Sequence, residues 1–173
     1  MMKWSSLMGM SRILGLVALT LGLVEPAHAR NIPPVYGHSW PNADENCFEH
    51  SWTIMTNVCS TTKKLVIGVP LERGETGTFI VYVKVFGSGN PNQRVQCGAV
   101  SQDFSRDGEP SHQDSKIDTT SGNQDTWQSL ESSIFQFTPY SNLQVECDID
   151  PGRKIGLVML APYSAVDILF PPH

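Results

Sequence analysis

Apolar and polar residues alternate with a period of two over most of this chain. Thr78–Phe86 (TFIVYVKVF) shows it best: Phe79, Val81, Val83 and Val85 share one face, and Ile80, Tyr82, Lys84 and Phe86 the other. β-Branched and aromatic residues in that pattern predict a strand. Arg94–Gln102 repeats it with Val95, Cys97 and Ala99, and Leu143–Ile149 with Leu143, Val145, Cys147 and Ile149. Trp52–Val58 places Trp52, Ile54 and Thr56 on one side. Leu65–Val69 is a short apolar run stopped by Pro70, and Lys154–Leu160 and Ala165–Phe170 complete the set. Trp127–Phe137 reads two ways. Trp127, Leu130 and Ile134 fit a helix face, whereas Glu131, Ser133, Phe135 and Phe137 alternate. Pro139 and the neighbouring serines favour a strand at the Ile134–Phe137 end.

Turn chemistry separates these runs. Glu72–Gly77 and Gly87–Gln93 (GSGNPNQ) are rich in Gly, Asn and Pro, and Asp150-Pro151-Gly152-Arg153 is a turn signal. Thr78–Phe86 and Arg94–Gln102 flanking such a turn predict a hairpin. Strands spaced by roughly 8–12 residues, with no βαβ alternation, predict an all-β fold. The expected architecture is an antiparallel two-sheet β-sandwich of jelly-roll or Greek-key type. Its core would hold Ile54, Leu65, Ile67, Phe79, Val81, Val83, Val85, Val95, Leu143, Val145, Leu157 and Met159. Residues 30–45, with Pro33, Pro34 and Pro41, read as an extended lead-in, and 46–173 as a single domain.

The longest apolar run lies elsewhere. Ile13–Val24 (ILGLVALTLGLV) follows a short segment bearing Lys3 and Arg12 and precedes Ala27-His28-Ala29. Basic, apolar and small-x-small segments in that order predict a signal peptide, residues 1–29, cut before Arg30. The run falls short of the roughly 20 residues that span a bilayer. The chain is therefore expected to be exported, periplasmic or extracellular, without a transmembrane anchor after cleavage. Cleavage would take the formal net charge from −5 to about −6 through loss of Lys3, Arg12 and Glu25. An acidic surface whose basic residues never gather beyond pairs argues against nucleic acid as a partner.

Export changes how the cysteines read. Cys47, Cys59, Cys97 and Cys147 form an even set in an oxidising compartment, which predicts two disulfides. Three pairings exist; the preferred one is Cys47–Cys59 with Cys97–Cys147, the first closing a short loop and the second joining two strands. A four-cysteine zinc site is the rival, but the chain has no C-x2-C pair. It also has no Asn-x-Ser/Thr sequon and no cysteine at the cleavage site, which agrees with bacterial export without a lipid anchor.

Asn57-Val58-Cys59, the run Leu65–Leu71 (LVIGVPL), the strand VYVKV, Val95-Gln96-Cys97 and Leu143–Gly152 (LQVECDIDPG) together resemble a group of small secreted bacterial disulfide-containing β-sandwich proteins. The resemblance covers roughly Trp52–Leu160. It implies a disulfide-stapled sandwich, and carries over no activity and no site residues.

Candidate chemistry is sparse. No G-x-S-x-G elbow and no H-E-x-x-H motif occurs. His38, His50, His112 and His173 are scattered. A secreted hydrolase with a pair of facing carboxylates is an alternative reading, although the acids, plentiful as they are, form no motif. Asp103–Asp125 is a long polar loop in which Asp103, Asp107 and Glu109 flank a Gly turn, a donor set calcium could use. That set makes a calcium-dependent adhesion module one reading. The aromatics Trp40, Trp127 and Tyr140 lie near predicted strand ends, where a flat ring can stack on a sugar; Trp52, beside Cys59, is expected in the core. The leading expectation is an exported non-catalytic binding or structural module for a glycan, cell-surface or protein partner, with no cofactor unless calcium.

Overall fold

Burial follows the period-two pattern into two antiparallel sheets. The computed structural model describes residues 29–72, 75–103, 111–114, 118–138 and 141–163. The strands are β1 (Arg30–Ile32), β2 (Gly37–Trp40), β3 (Phe48–Ser51), β4 (Ile54–Asn57), β5 (Lys63–Val69), β6 (Gly77–Gly87), β7 (Val95–Asp103), β8 (Ser111–Asp114), β9 (Asp118–Thr119), β10 (Thr126–Phe137), β11 (Ser141–Ile149) and β12 (Lys154–Pro162). Short 3-10 turns at Pro34–Tyr36 and Asn42–Cys47 flank β2. The first sheet runs β10-β6-β12-β4-β3, with β1 also on β12; the second runs β2-β5-β11-β7-β8, with β9 also on β7. The segment 30–45 thus supplies one strand to each sheet.

The core lies between the sheets. Leu65, Ile67 and Val69 of β5, Val95, Cys97 and Ala99 of β7, and Leu143, Val145 and Ile149 of β11 face Phe79, Val81, Val83 and Val85 of β6. Phe135 and Phe137 of β10 fill one end, with Phe137 5.2 Å from Phe79. Each buried Val, Leu, Ile or Phe among them contributes about 1.5–3 kcal/mol by leaving water.

Both expected disulfides are present, which overturns the zinc alternative. Cys47–Cys59 closes a separation of 12 residues and Cys97–Cys147 one of 50. Cys97 and Cys147 stand directly opposite on β7 and β11. Chain-entropy arguments give about 3 kcal/mol for the short loop and about 4 kcal/mol for the long one. Between the sheets Asn57 is fully buried with every side-chain group paired. Its Nδ2 donates to the carbonyls of Ile149 (2.7 Å) and Thr61 (2.9 Å), and its Oδ1 accepts from Cys59 N–H (3.0 Å).

Four expectations need correction. Thr78–Phe86 and Arg94–Gln102 do not pair: β6 sits between β10 and β12, and β7 between β11 and β8. The turn after β6 crosses between sheets, and Asp150 Oδ2 holds the Arg94 N–H (2.8 Å) at the start of the second. Alternation shows that both strands bury a face, but not that they share a sheet. Trp52 is not core; it lies in the tight β3–β4 turn at φ 54°, 94 % exposed. The strand frame therefore starts two residues later, so Met55 and Asn57 point inward and Ile54 outward. Along β12 a bulge between Ile155 and Val158 shifts the frame by one. Ile155, Val158 and Leu160 are buried, Leu157 is exposed, and Met159 packs on Ile80, Tyr82 and Ala161 of the outer face. Lastly, Thr126–Phe137 is strand throughout, with a bulge between Glu131 and Ile134. That extra residue leaves Leu130 buried and Ile134 exposed, so Trp127, Leu130 and Ile134 do not share one buried face. Ala165–Phe170 lies outside the described residues.

Candidate functional site

The outer face of the second sheet carries a groove of about 310 Å3 lined by His38 and Trp40 of β2, Lys64 and Val66 of β5, and Gln144 and Glu146 of β11. Strand register explains how residues so far apart in sequence meet. Trp40 pairs with Lys64, and Lys64 with Asp148; His38 pairs with Val66, and Val66 with Glu146. Adjacent strands lie about 4.8 Å apart, so each row crosses three strands in roughly 10 Å. Inward neighbours Ser39, Leu65 and Val145 are buried, which fixes the other set outward.

Close approach of β2 puts Trp40 there. A Cβ on Gly37 would fall 2.8 Å from Ile67 Cγ1 and 3.0 Å from two carbonyl oxygens, so only glycine lets the edge strand lie this near β5. Ser39 Oγ donates to the Pro41 carbonyl (3.1 Å) and steadies the turn beyond Trp40. The indole stands 63 % exposed at the rim, whereas Val66 on the floor is buried.

The polar walls form one cluster. Lys64 Nζ lies 3.3 Å from Glu146 Oε2 and 3.7 Å from Asp148 Oδ1. Gln144 Nε2 donates to Glu146 Oε1 (2.9 Å). Both oxygens of Glu146 are thereby engaged. Glycoside hydrolysis asks for two carboxylates disposed about a bond; here the acids of the groove are tied to one lysine and one amide. The arrangement offers an exposed flat ring, an apolar floor, and amide, imidazole, ammonium and carboxylate groups at the edges. It suits reversible recognition of a polyhydroxylated, amphipathic molecule.

Trp127 is placed differently. It lies on the outer face of the first sheet, opposite Phe86 in register and edge-on to it with ring centroids 5.5 Å apart. A Cβ on Gly156 would come within 3.2 Å of its ring, so Trp127 lies flat over the β12 bulge. Lys154 Nζ sits 5.5 Å from the Phe86 centroid and the Arg153 guanidinium 5.9 Å from it. Arg153 also pairs with Asp125 at 2.5 Å. Trp40 and Trp127 therefore do not form one surface. Tyr140, Asp107 and Glu109 lie outside the described residues, and only the backbone of Asp103, at the end of β7, is described. His38, His50 and Glu45 line a second cavity of about 230 Å3 beside β2. Among the described residues no group of three or more His, Cys, Asp or Glu is disposed to hold a metal ion.

His38, Lys64, Gln144 and Glu146 were not singled out from sequence. The outward polar positions of Lys63–Val69 and Leu143–Ile149 are legible in the alternation, but nothing local indicates that these strands adjoin each other and β2.

No family model matches the chain, and no curated protein matches it in sequence. Among solved structures it is similar to the C-terminal CBM6 of the laminarinase LamC from Zobellia galactanivorans, at 10 % identity and TM-score 0.48, over 78 % of this chain and 99 % of that one. A family 35 carbohydrate binding module from Clostridium thermocellum gives 8 % identity and TM-score 0.48, over 79 % of this chain and 99 % of that one. A Bacillus thuringiensis Cry1Da tryptic core variant gives 9 % and 0.47, over 80 % of this chain and 24 % of that one. At these identities and scores the likeness assigns no ligand or activity.

Proposed function

We propose that this chain is an exported, non-catalytic carbohydrate-binding module that takes glycan on the outer face of its second sheet. Trp40 carries the reading: a tryptophan 63 % exposed at the rim of a groove whose remaining walls are hydrogen-bonding side chains. An indole left in water costs hydrophobic free energy, and covering it with the C–H face of a sugar ring recovers that cost. Lys64, Gln144, His38 and Asp148 then meet the ring's hydroxyls, each of which both donates and accepts.

The test is retention of the purified protein on insoluble polysaccharides and peptidoglycan, with and without calcium. Retention lost in Trp40→Ala and kept in Trp127→Ala is the expected result. Retention by no glycan would sink the proposal and redirect attention to a protein partner. Retention that requires calcium would move the site to the acidic sequence stretch bearing Asp103, Asp107 and Glu109.

A further inference from the structure

We infer that the groove selects uncharged glycan chains over uronate- or sulfate-bearing ones. This rests on the glycan reading above and adds the ligand's charge class. Glu146 and Asp148 are two residues apart on the outward side of β11, and Lys64 lies within 3.7 Å of both. The cluster thus holds two carboxylates around one ammonium. Lys63, next along β5, adds no second cation, because Asp44 binds its Nζ at 2.7 Å.

Consider an anionic sugar laid over Val66 beside Trp40. To pair with Lys64 it must draw that ammonium from Glu146 and Asp148, leaving two carboxylates short of their partner in a partly desolvated groove. If it does not, a third negative charge sits beside the first two. Either way the exchange is unfavourable. The chain's net charge of −5 adds repulsion of the same sign. A hydroxyl escapes this conflict. It accepts from Lys64, Gln144 or His38 and donates to Asp148 without moving a charge.

Affinity electrophoresis in native gels tests this, with soluble mixed-linkage glucan, glucomannan and arabinoxylan as neutral probes. Polygalacturonate serves as the anionic probe, at low and physiological salt. At least one neutral polymer is expected to retard the protein at a concentration about tenfold lower than polygalacturonate. Asp148→Lys should narrow the gap towards polygalacturonate several-fold, and Asp148→Asn should do so less. Trp40→Ala should abolish retardation by every polymer. Polygalacturonate retarding the wild type as well as the neutral polymers do would overturn the selection. So would an unchanged gap in both Asp148 variants, each checked for an unaltered melting temperature. Retardation by no polymer at all would instead overturn the glycan reading, and the selection with it.

Discussion

The two sheets show different outer faces to water, and each carries one tryptophan in a different setting. On the first sheet Trp127 leans on Phe86, covers Gly156 and closes over a bulge, while Ile80, Tyr82 and Ala161 farther along the strands are buried. On the second, Trp40 ends an edge strand, stands free at a rim, and shares its groove with an ion-paired cluster. The same residue type is packing in one place and an unmet surface in the other. What separates them is the neighbour across the strand: an aromatic ring for Trp127, a lysine held by two carboxylates for Trp40. Exposed area alone does not make the distinction. Trp52 is the most exposed of the three and sits on a hairpin turn, outside the groove.

The largest effects are expected from the disulfides that frame the two sheets. Cys97→Ala with Cys147→Ala should cost about 4 kcal/mol and Cys47→Ala with Cys59→Ala about 3 kcal/mol, read as denaturant midpoints. A smaller loss from the first pair than from the second would contradict the assigned loop energetics. Trp127→Ala comes next. It removes a half-exposed ring from Phe86 and the bulge, and is expected to cost about 1–2 kcal/mol, less than the 3–5 of a fully buried tryptophan. Trp40→Ala should stay within about 0.5 kcal/mol. Equal melting temperatures for the two variants would erase the distinction between packed and free indoles.

A third probe concerns Tyr82. Burial, and secondarily the charge of Glu131, raise its phenol above the usual value of 10.0. The unfolded chain therefore loses this proton first as pH rises. The stability Tyr82 contributes is present in full below about pH 10 and is lost as pH climbs through the folded-state value. Tyr82→Phe should flatten that alkaline fall in a series of melts, and an identical fall in the variant would remove the assignment. The smallest effect is at Gly68, on the outward side of β5, where a Cβ would meet nothing within 4 Å. Gly68→Thr suits strand geometry and should stabilise by up to about 1 kcal/mol in thermal melts.

Much of the frame is legible in the residues themselves. The alternations in Thr78–Phe86, Arg94–Gln102 and Leu143–Ile149 name inward positions that the structure buries, and the preferred cysteine pairing is the one formed. Where reading fails, one inserted residue or one sheet crossing is responsible. The bulge at Gly156-Leu157 reverses the facing of Leu157 and Met159, the turn at Trp52 shifts Ile54, and Asp150 directs β7 into the other sheet. The groove is harder still. Its residues come from three strands whose adjacency is set by non-local pairing, so only Trp40, conspicuous as an aromatic beside a proline-rich segment, can be named in advance.

On the proposed reading, glycan covers Trp40 and leaves Trp127 and Trp52 untouched. Indole N–H resonances of 15N-labelled protein, assigned with single Trp→Phe variants, report on each ring separately during titration with soluble neutral oligosaccharides. The Trp40 resonance should move in a saturable way while those of Trp127 and Trp52 hold their positions. Movement of Trp127 or Trp52 with a stationary Trp40, or no movement of any indole with a glycan that retains the protein, would contradict it.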